Sequence, residues 1–120
     1  MAHKTGQDLI DDAKQQIEEV TPEQVQEMQA RSEPVVYLDV REPNEWNLGR
    51  LPHAVHLPRG NLETKVEGMI DRNQRVVVYC ARGNRSALAA LTMKHMGYEN
   101  VASMSRGFLG WADISGEVEG

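Results

Sequence analysis

Apolar positions change their spacing repeatedly along the chain, and each change marks a passage between helix and strand. In GQDLIDDAKQQI, Leu9, Ile10, Ala13 and Ile17 recur at helical spacing, which predicts an amphipathic helix; the alternative is that Gln16–Val20 starts the first strand instead. Thr21-Pro22-Glu23-Gln24 supplies an N-cap, a proline at the first helical position and a glutamine that closes a capping box. That helix is expected to end near Arg31, before Pro34. PVVYLDV then predicts a buried strand ending at Asp39, REPNEW a proline-initiated turn or short helix, AVHL a short strand, and LETKVEGMI a helix. RVVVYC, with three valines and a tyrosine ahead of the cysteine, is the strongest strand signal in the chain. Arg85–Met96 follows as a helix closed by Gly97, then NVASM as a strand and GFLGWADI as a short last helix.

Strands that alternate with helices predict an α/β fold, a five-stranded parallel sheet flanked by helices on both faces. At 120 residues the chain suits one domain, which buries roughly two thirds of its unfolded surface. The expected division is an N-terminal helical extension over 1–15 and a single α/β domain over 16–120. No apolar run approaches the ~20 residues of a membrane span. MAHKTGQDLIDDAKQQ lacks the apolar core of a signal peptide, so a cytoplasmic location and no membrane partner are expected.

Charge refines this picture. The net charge is −5, and residues 1–33 hold eight acids against three bases, which accounts for the excess. Residues 50–106 reverse the balance, with nine Lys or Arg against Glu63, Glu67, Asp71 and Glu99. Overall acidity argues against nucleic-acid binding, while the basic middle suits a small anion.

The single cysteine, Cys80, cannot form an internal disulfide or build a zinc site by itself. Its position carries the chemistry. In an open parallel sheet ligands bind beyond the carboxyl ends of the strands, and Cys80 is read as the last residue of the strongest strand. The loop Ala81-Arg82-Gly83-Asn84-Arg85 must then turn sharply into a helix. Gly83 permits a positive φ and Asn84 tolerates one, and a tight loop of this kind points backbone N–H groups inward as an anion nest. These amides, the helix dipole, Arg82 and Arg85 would stabilise a thiolate, making Cys80 a nucleophile.

The loop resembles the C-x-x-G-x-R active-site loop of rhodanese-type sulfurtransferases. LDVREPNEW, LPHAVHLP and RGFLGW are similar, in order, to three further segments of that family, so the likeness runs from about Ile17 to Trp111. Arg50 and His53 replace the usual histidine and glycine of the third segment, and Arg106 the first glycine of the last. The resemblance implies ping-pong transfer of a sulfane sulfur. Cys80 would take it from a small anionic donor such as thiosulfate, become a persulfide, and pass it to an acceptor thiol or cyanide, with no metal or organic cofactor. An alternative is a sulfur-relay or regulatory module that takes sulfur from, or gives it to, a protein. Cysteine phosphatases use C-x5-R; here Cys80 and Arg85 enclose four residues, a tighter ring that suits one sulfur better than a phosphate.

Other residues carry lesser expectations. Asp39 either braces the active loop or caps the REPNEW turn. Arg41 and Glu45 are expected to pair with each other. Arg59 and Arg106 are candidates for lining the entrance. His53 and His56 form an H-x-x-H, yet in an extended segment the two rings face apart, so no metal site is expected. Trp46, Trp111, Phe108, Leu109, Met69, Met93, Met96 and Met104 read as packing residues, and the N-terminal helix as packed on the domain.

Overall fold

The computed structural model describes residues 3–120. In chain order its elements are α1 (Gly6–Gln16), β1 (Glu18–Val20), α2 (Pro22–Ala30), β2 (Val35–Asp39), α3 (Pro43–Asn47), β3 (Val55–His56), α4 (Leu62–Lys65), β4 (Arg75–Tyr79), α5 (Asn84–His95), β5 (Val101–Met104) and α6 (Gly107–Asp113). The first two positions of the expected 1–15 extension lie outside the described residues. Every strand pair is parallel and the strand order is β1-β5-β4-β2-β3. No helix among the described residues is long and apolar enough to cross a membrane.

β4 lies at the centre because both of its faces are covered. Val76 and Val78 pack against Ala89, Ala90 and Met93 of α5 and Leu62 of α4. Val77 and Tyr79 pack on the other face with Val25 of α2 and Trp111 of α6. A strand buried on both sides reads as a continuous apolar run, which is why RVVVY stands out in the sequence. Each of the three valines is fully buried, and such burial contributes about 1.5–3 kcal/mol per side chain.

Local signals set the helix ends. Thr21 Oγ1 accepts the Gln24 N–H at 3.1 Å while Gln24 Oε1 accepts the Thr21 N–H at 2.8 Å, the expected capping box. Thr5 and Asp8 form a second one at the start of α1. α1 packs its buried Ala13 inward, and Lys94 of α5 donates to the Gln16 carbonyl at 2.7 Å.

Two expectations need correction. LETKVEGMI is one α-helical turn flanked by 3₁₀ turns at Arg59–Asn61 and Val66–Gly68. Leu62, Val66 and Ile70 are buried as their spacing suggests, but Gly68 is a poor helix former and the Tyr98 hydroxyl donates to the Ile70 carbonyl at 2.6 Å where the segment ends. Met69, expected in the core, is 44% exposed, and Leu109, expected in core or rim packing, is 49% exposed and so lies outside the core.

Candidate active site

The turn from β4 into α5 reaches the carboxyl edge of the sheet. The Tyr79 carbonyl still accepts a ladder bond from Val40 at 3.1 Å, whereas the Cys80 carbonyl is taken by the Phe108 N–H of α6 at 2.7 Å. Cys80 is therefore the first residue beyond the strand rather than its last. The Leu109 N–H holds the next carbonyl, of Ala81, at 3.0 Å, so the opening turn of α6 grips the cysteine loop from outside. A Cβ at Gly107 would lie 2.4 Å from the Cys80 carbonyl oxygen, so only glycine lets the helix approach this closely.

Gly83 makes the turn at φ +94, and the left-handed conformation falls on it alone; Asn84 is already the first residue of α5. With the outward carbonyls held by α6, inward amides meet the thiol. The N–H of Gly83 donates to Sγ at 3.2 Å and that of Ser86 at 3.3 Å. Gly83 is the N-cap and Ser86 lies in the first turn of a twelve-residue helix, whose dipole favours negative charge there. The N–H groups of Ala81, Arg82, Asn84 and Arg85 make no hydrogen bond to Sγ.

Ser86 also brings its hydroxyl, 3.4 Å from Sγ and 2.8 Å from the hydroxyl of Ser103 on β5. Both serines are fully buried. The chain of hydroxyls can run in two directions. A thiol donates to Ser86, which donates onward to Ser103; a thiolate accepts from Ser86, which then accepts from Ser103. Sequence reasoning missed both serines. Ser86, third in the helix after the cysteine loop, carried a signal as a first-turn hydroxyl; Ser103 carried none, since its role depends on β5 lying beside β4.

Cys80 is only 1% exposed. It ends the apolar cluster that contains Val40 and Val78, but its sulfur has three polar partners, which distinguishes it from a thiol walled in by hydrocarbon.

The arginines are disposed unevenly. Arg85 is held by Glu45 of α3 through two bonds of 2.8 and 3.1 Å, and this partner, first among several, brings the Glu45 carboxyl down to about 2. Its positive charge is thus partly neutralised. Arg82 is exposed and makes no ion pair among the described residues. Lys14 of α1 reaches the same turn, donating to Asn84 Oδ1 at 3.3 Å.

The expected Arg41–Glu45 pair does not form. Arg41 lies before the N-cap of α3, so the two residues share no helical face, and Arg41 turns back to Asp39 instead. Asp39 Oδ1 accepts the Arg41 N–H at 2.9 Å and Oδ2 accepts Nη2 at 2.7 Å, with both residues buried. Asp39 therefore caps the turn and makes no bond to the loop of residues 81–85. Its influence reaches the site indirectly, because the Arg41 guanidinium lies 4.4 Å above the Phe108 ring, next to the amide that holds Cys80.

Arg59 pairs with Glu63 at 2.9 Å and donates to Thr92 at 3.3 Å; Arg106 pairs with Glu23 of α2. Neither bonds to the cysteine loop. His56 stacks on Trp46 with centroids 4.7 Å apart and meets the Arg41 carbonyl at 2.8 Å, while the His53 N–H donates to Glu119 at 3.3 Å. The two histidines thus serve different neighbours, His56 through its ring and His53 through its backbone. Arg50 stacks on Trp46 at 4.4 Å.

The family described as the rhodanese-like domain matches residues 21–114. The chain belongs to that family. A sulfurtransferase from Allochromatium vinosum is 30% identical over 96 residues, 80% of this rhodanese-like chain and 89% of that protein. A Bacillus subtilis protein named "Putative sulfur carrier protein YrkF" is 32% identical over 95 residues, 79% of this chain. The match takes in 51% of YrkF, so the chain spans about half the length of that relative. Among solved structures, a Rhodopseudomonas palustris protein of unknown function, described as a "Possible Tyrosine Phosphatase", superimposes with a TM-score of 0.88 at 32% identity. It covers 99% of this chain and 97% of that one.

Proposed function

We propose that this rhodanese-like domain is a sulfurtransferase that carries a sulfane sulfur as a persulfide on Cys80. The observation that carries the reading is the pair of amides at the start of α5, from the N-cap Gly83 and from Ser86, that converge on Sγ at 3.2 and 3.3 Å. Such donors favour a sulfur anion over a neutral thiol.

In the first half-reaction the Cys80 thiolate attacks the outer sulfur of thiosulfate. A Cys–S–S bond forms, the S–S bond of the donor breaks, and sulfite leaves with the bonding electron pair. In the second, cyanide or an acceptor thiolate attacks the terminal sulfur and the electron pair returns to Cys80. Thiocyanate or a new persulfide departs. Each step conserves charge and electrons, so no outside oxidant or reductant is needed. Arg82 supplies positive potential for the dianion, and Arg85 holds the loop through Glu45.

Phosphoryl transfer fits less well. Four residues between Cys80 and Arg85 make a small ring, and the Arg85 guanidinium is committed to Glu45. A relay from a protein donor is the second reading, favoured by the 1% exposure of Cys80 and by the sulfur-carrier name of the Bacillus relative. A thiosulfate:cyanide assay on the wild type and Cys80→Ala separates them. Turnover lost on substitution supports the enzyme; no wild-type turnover, with sulfur accepted from a cysteine desulfurase, supports the relay.

A further inference from the structure

On the face of the sheet opposite the Cys80 cluster, an open cleft of about 500 Å³ lies between α2, the start of β2 and the residues after α6. That volume is in the range of small-molecule sites. Tyr37 and Trp111 line it, and Tyr37 is 4% exposed. The Tyr37 hydroxyl has no hydrogen-bond partner among the described residues. A buried hydroxyl left unpaired is unfavourable, so such groups ordinarily have a partner. The Trp111 indole N–H is already satisfied, donating to the Glu117 carbonyl at 2.8 Å.

The permanently charged side chains lining the cleft are of one sign, with His53 the one titratable base among them. Glu33 and Glu117 line it, both exposed, and no lysine or arginine does. Neither takes part in an ion pair among the described residues. Glu33 and Tyr37 line the same cleft, and burial followed by that neighbouring charge raises the pKa of the Tyr37 hydroxyl above its ordinary value. An anion here would face two carboxylates. A cation would offset them.

We propose that this cleft binds a small organic cation whose primary ammonium group donates to the Tyr37 hydroxyl and the Glu33 carboxylate, its hydrocarbon part lying along Trp111. The site is independent of the sulfur-transfer reading. It lies on the other face of the sheet and recognises the opposite charge to a thiosulfate-like donor.

An amide NMR titration of the full chain tests it, with 1,4-diaminobutane as the probe and 1,4-butanediol as the neutral control. The diamine is expected to give saturable shifts around Glu33, Tyr37 and the Trp111 indole, and the diol none. Tyr37→Phe should weaken binding about five-fold and Glu33→Gln about ten-fold. Because Tyr37→Phe removes a hydroxyl that has no partner, its thermal midpoint should match the wild type, so lost binding is not lost folding. Shifts that never saturate, an equal response to the diol, or wild-type affinity in both variants would each overturn the proposal.

Discussion

The backbone N–H of Phe108 donates to the carbonyl of Cys80 at 2.7 Å, and this one bond ties the start of the last helix to the residue that carries the chemistry. It requires Gly107. A side chain there would overlap the Cys80 carbonyl at 2.4 Å, at a backbone φ of +53 that already disfavours one.

Gly107→Ala is therefore expected to lose about 2–4 kcal/mol of stability, from overpacking against backbone together with left-handed strain. Sulfur transfer should fall at least about ten-fold even under conditions where the variant is folded. Gly60→Ala, whose Cβ meets nothing within 4 Å, should stay within about 0.5 kcal/mol of wild type. Urea unfolding alongside activity measures both.

Removing the buried hydroxyl beside the sulfur tests the second layer of the site. Ser86→Ala takes one polar partner from Sγ and leaves the Ser103 hydroxyl buried and unpaired, so it should destabilise by about 1–2 kcal/mol. Alkylation of Cys80 by iodoacetamide at neutral pH should also slow. Ser86→Ala combined with Ser103→Ala should destabilise by less than the sum of the two single changes, read from a double-mutant cycle.

Glu45 gives the site a pH dependence of defined sign. Its carboxyl is lowered from 4.5 to about 2, so its contribution is fully present above 4.5 and is lost as pH falls through 2. With side chains 28% and 38% exposed, the Glu45–Arg85 pair is screened to about 1 kcal/mol. Glu45→Gln should be less stable than wild type by that amount at neutral pH, and the gap should close between pH 4.5 and 2 in chemical denaturation.

Asp39 and Arg41 form the fold's buried ion pair. Asp39→Ala leaves the guanidinium uncompensated among the Tyr79 and Phe108 rings and should lose about 3–5 kcal/mol. A much smaller loss in urea would mean that the pair does not brace this region.

The arginines should separate by kinetics. Arg82→Ala should raise KM for thiosulfate a few-fold with kcat nearly unchanged, and the effect should shrink with salt. Arg59→Ala and Arg106→Ala should leave KM alone, because those side chains are engaged with Glu63 and Glu23.

Local signals were the most legible part of the chain. The capping box at Thr21 and Gln24 and the glycine at position 83 answer to residues close in sequence, and the valine run of β4 declares its burial by composition alone, so each can be read without the tertiary fold. What was hidden depends on distant neighbours. Glu45 finds Arg85 forty residues away, Ser86 finds Ser103 through strand order, and Gly107 matters because α6 returns to the cysteine loop. The residues after Asn61 show a milder form of the same limit. Their apolar spacing was right, but Gly68 weakens a continuous helix and the Tyr98 hydroxyl, reached only through the tertiary fold, takes the Ile70 carbonyl where the segment ends.

The most direct test of the central claim is intact-protein mass spectrometry after incubation with thiosulfate and then with cyanide. The account predicts a gain of one sulfur atom located on Cys80, its discharge by cyanide, and no gain in Cys80→Ala. An unchanged wild-type mass, or a sulfur found on Cys80→Ala, would contradict it.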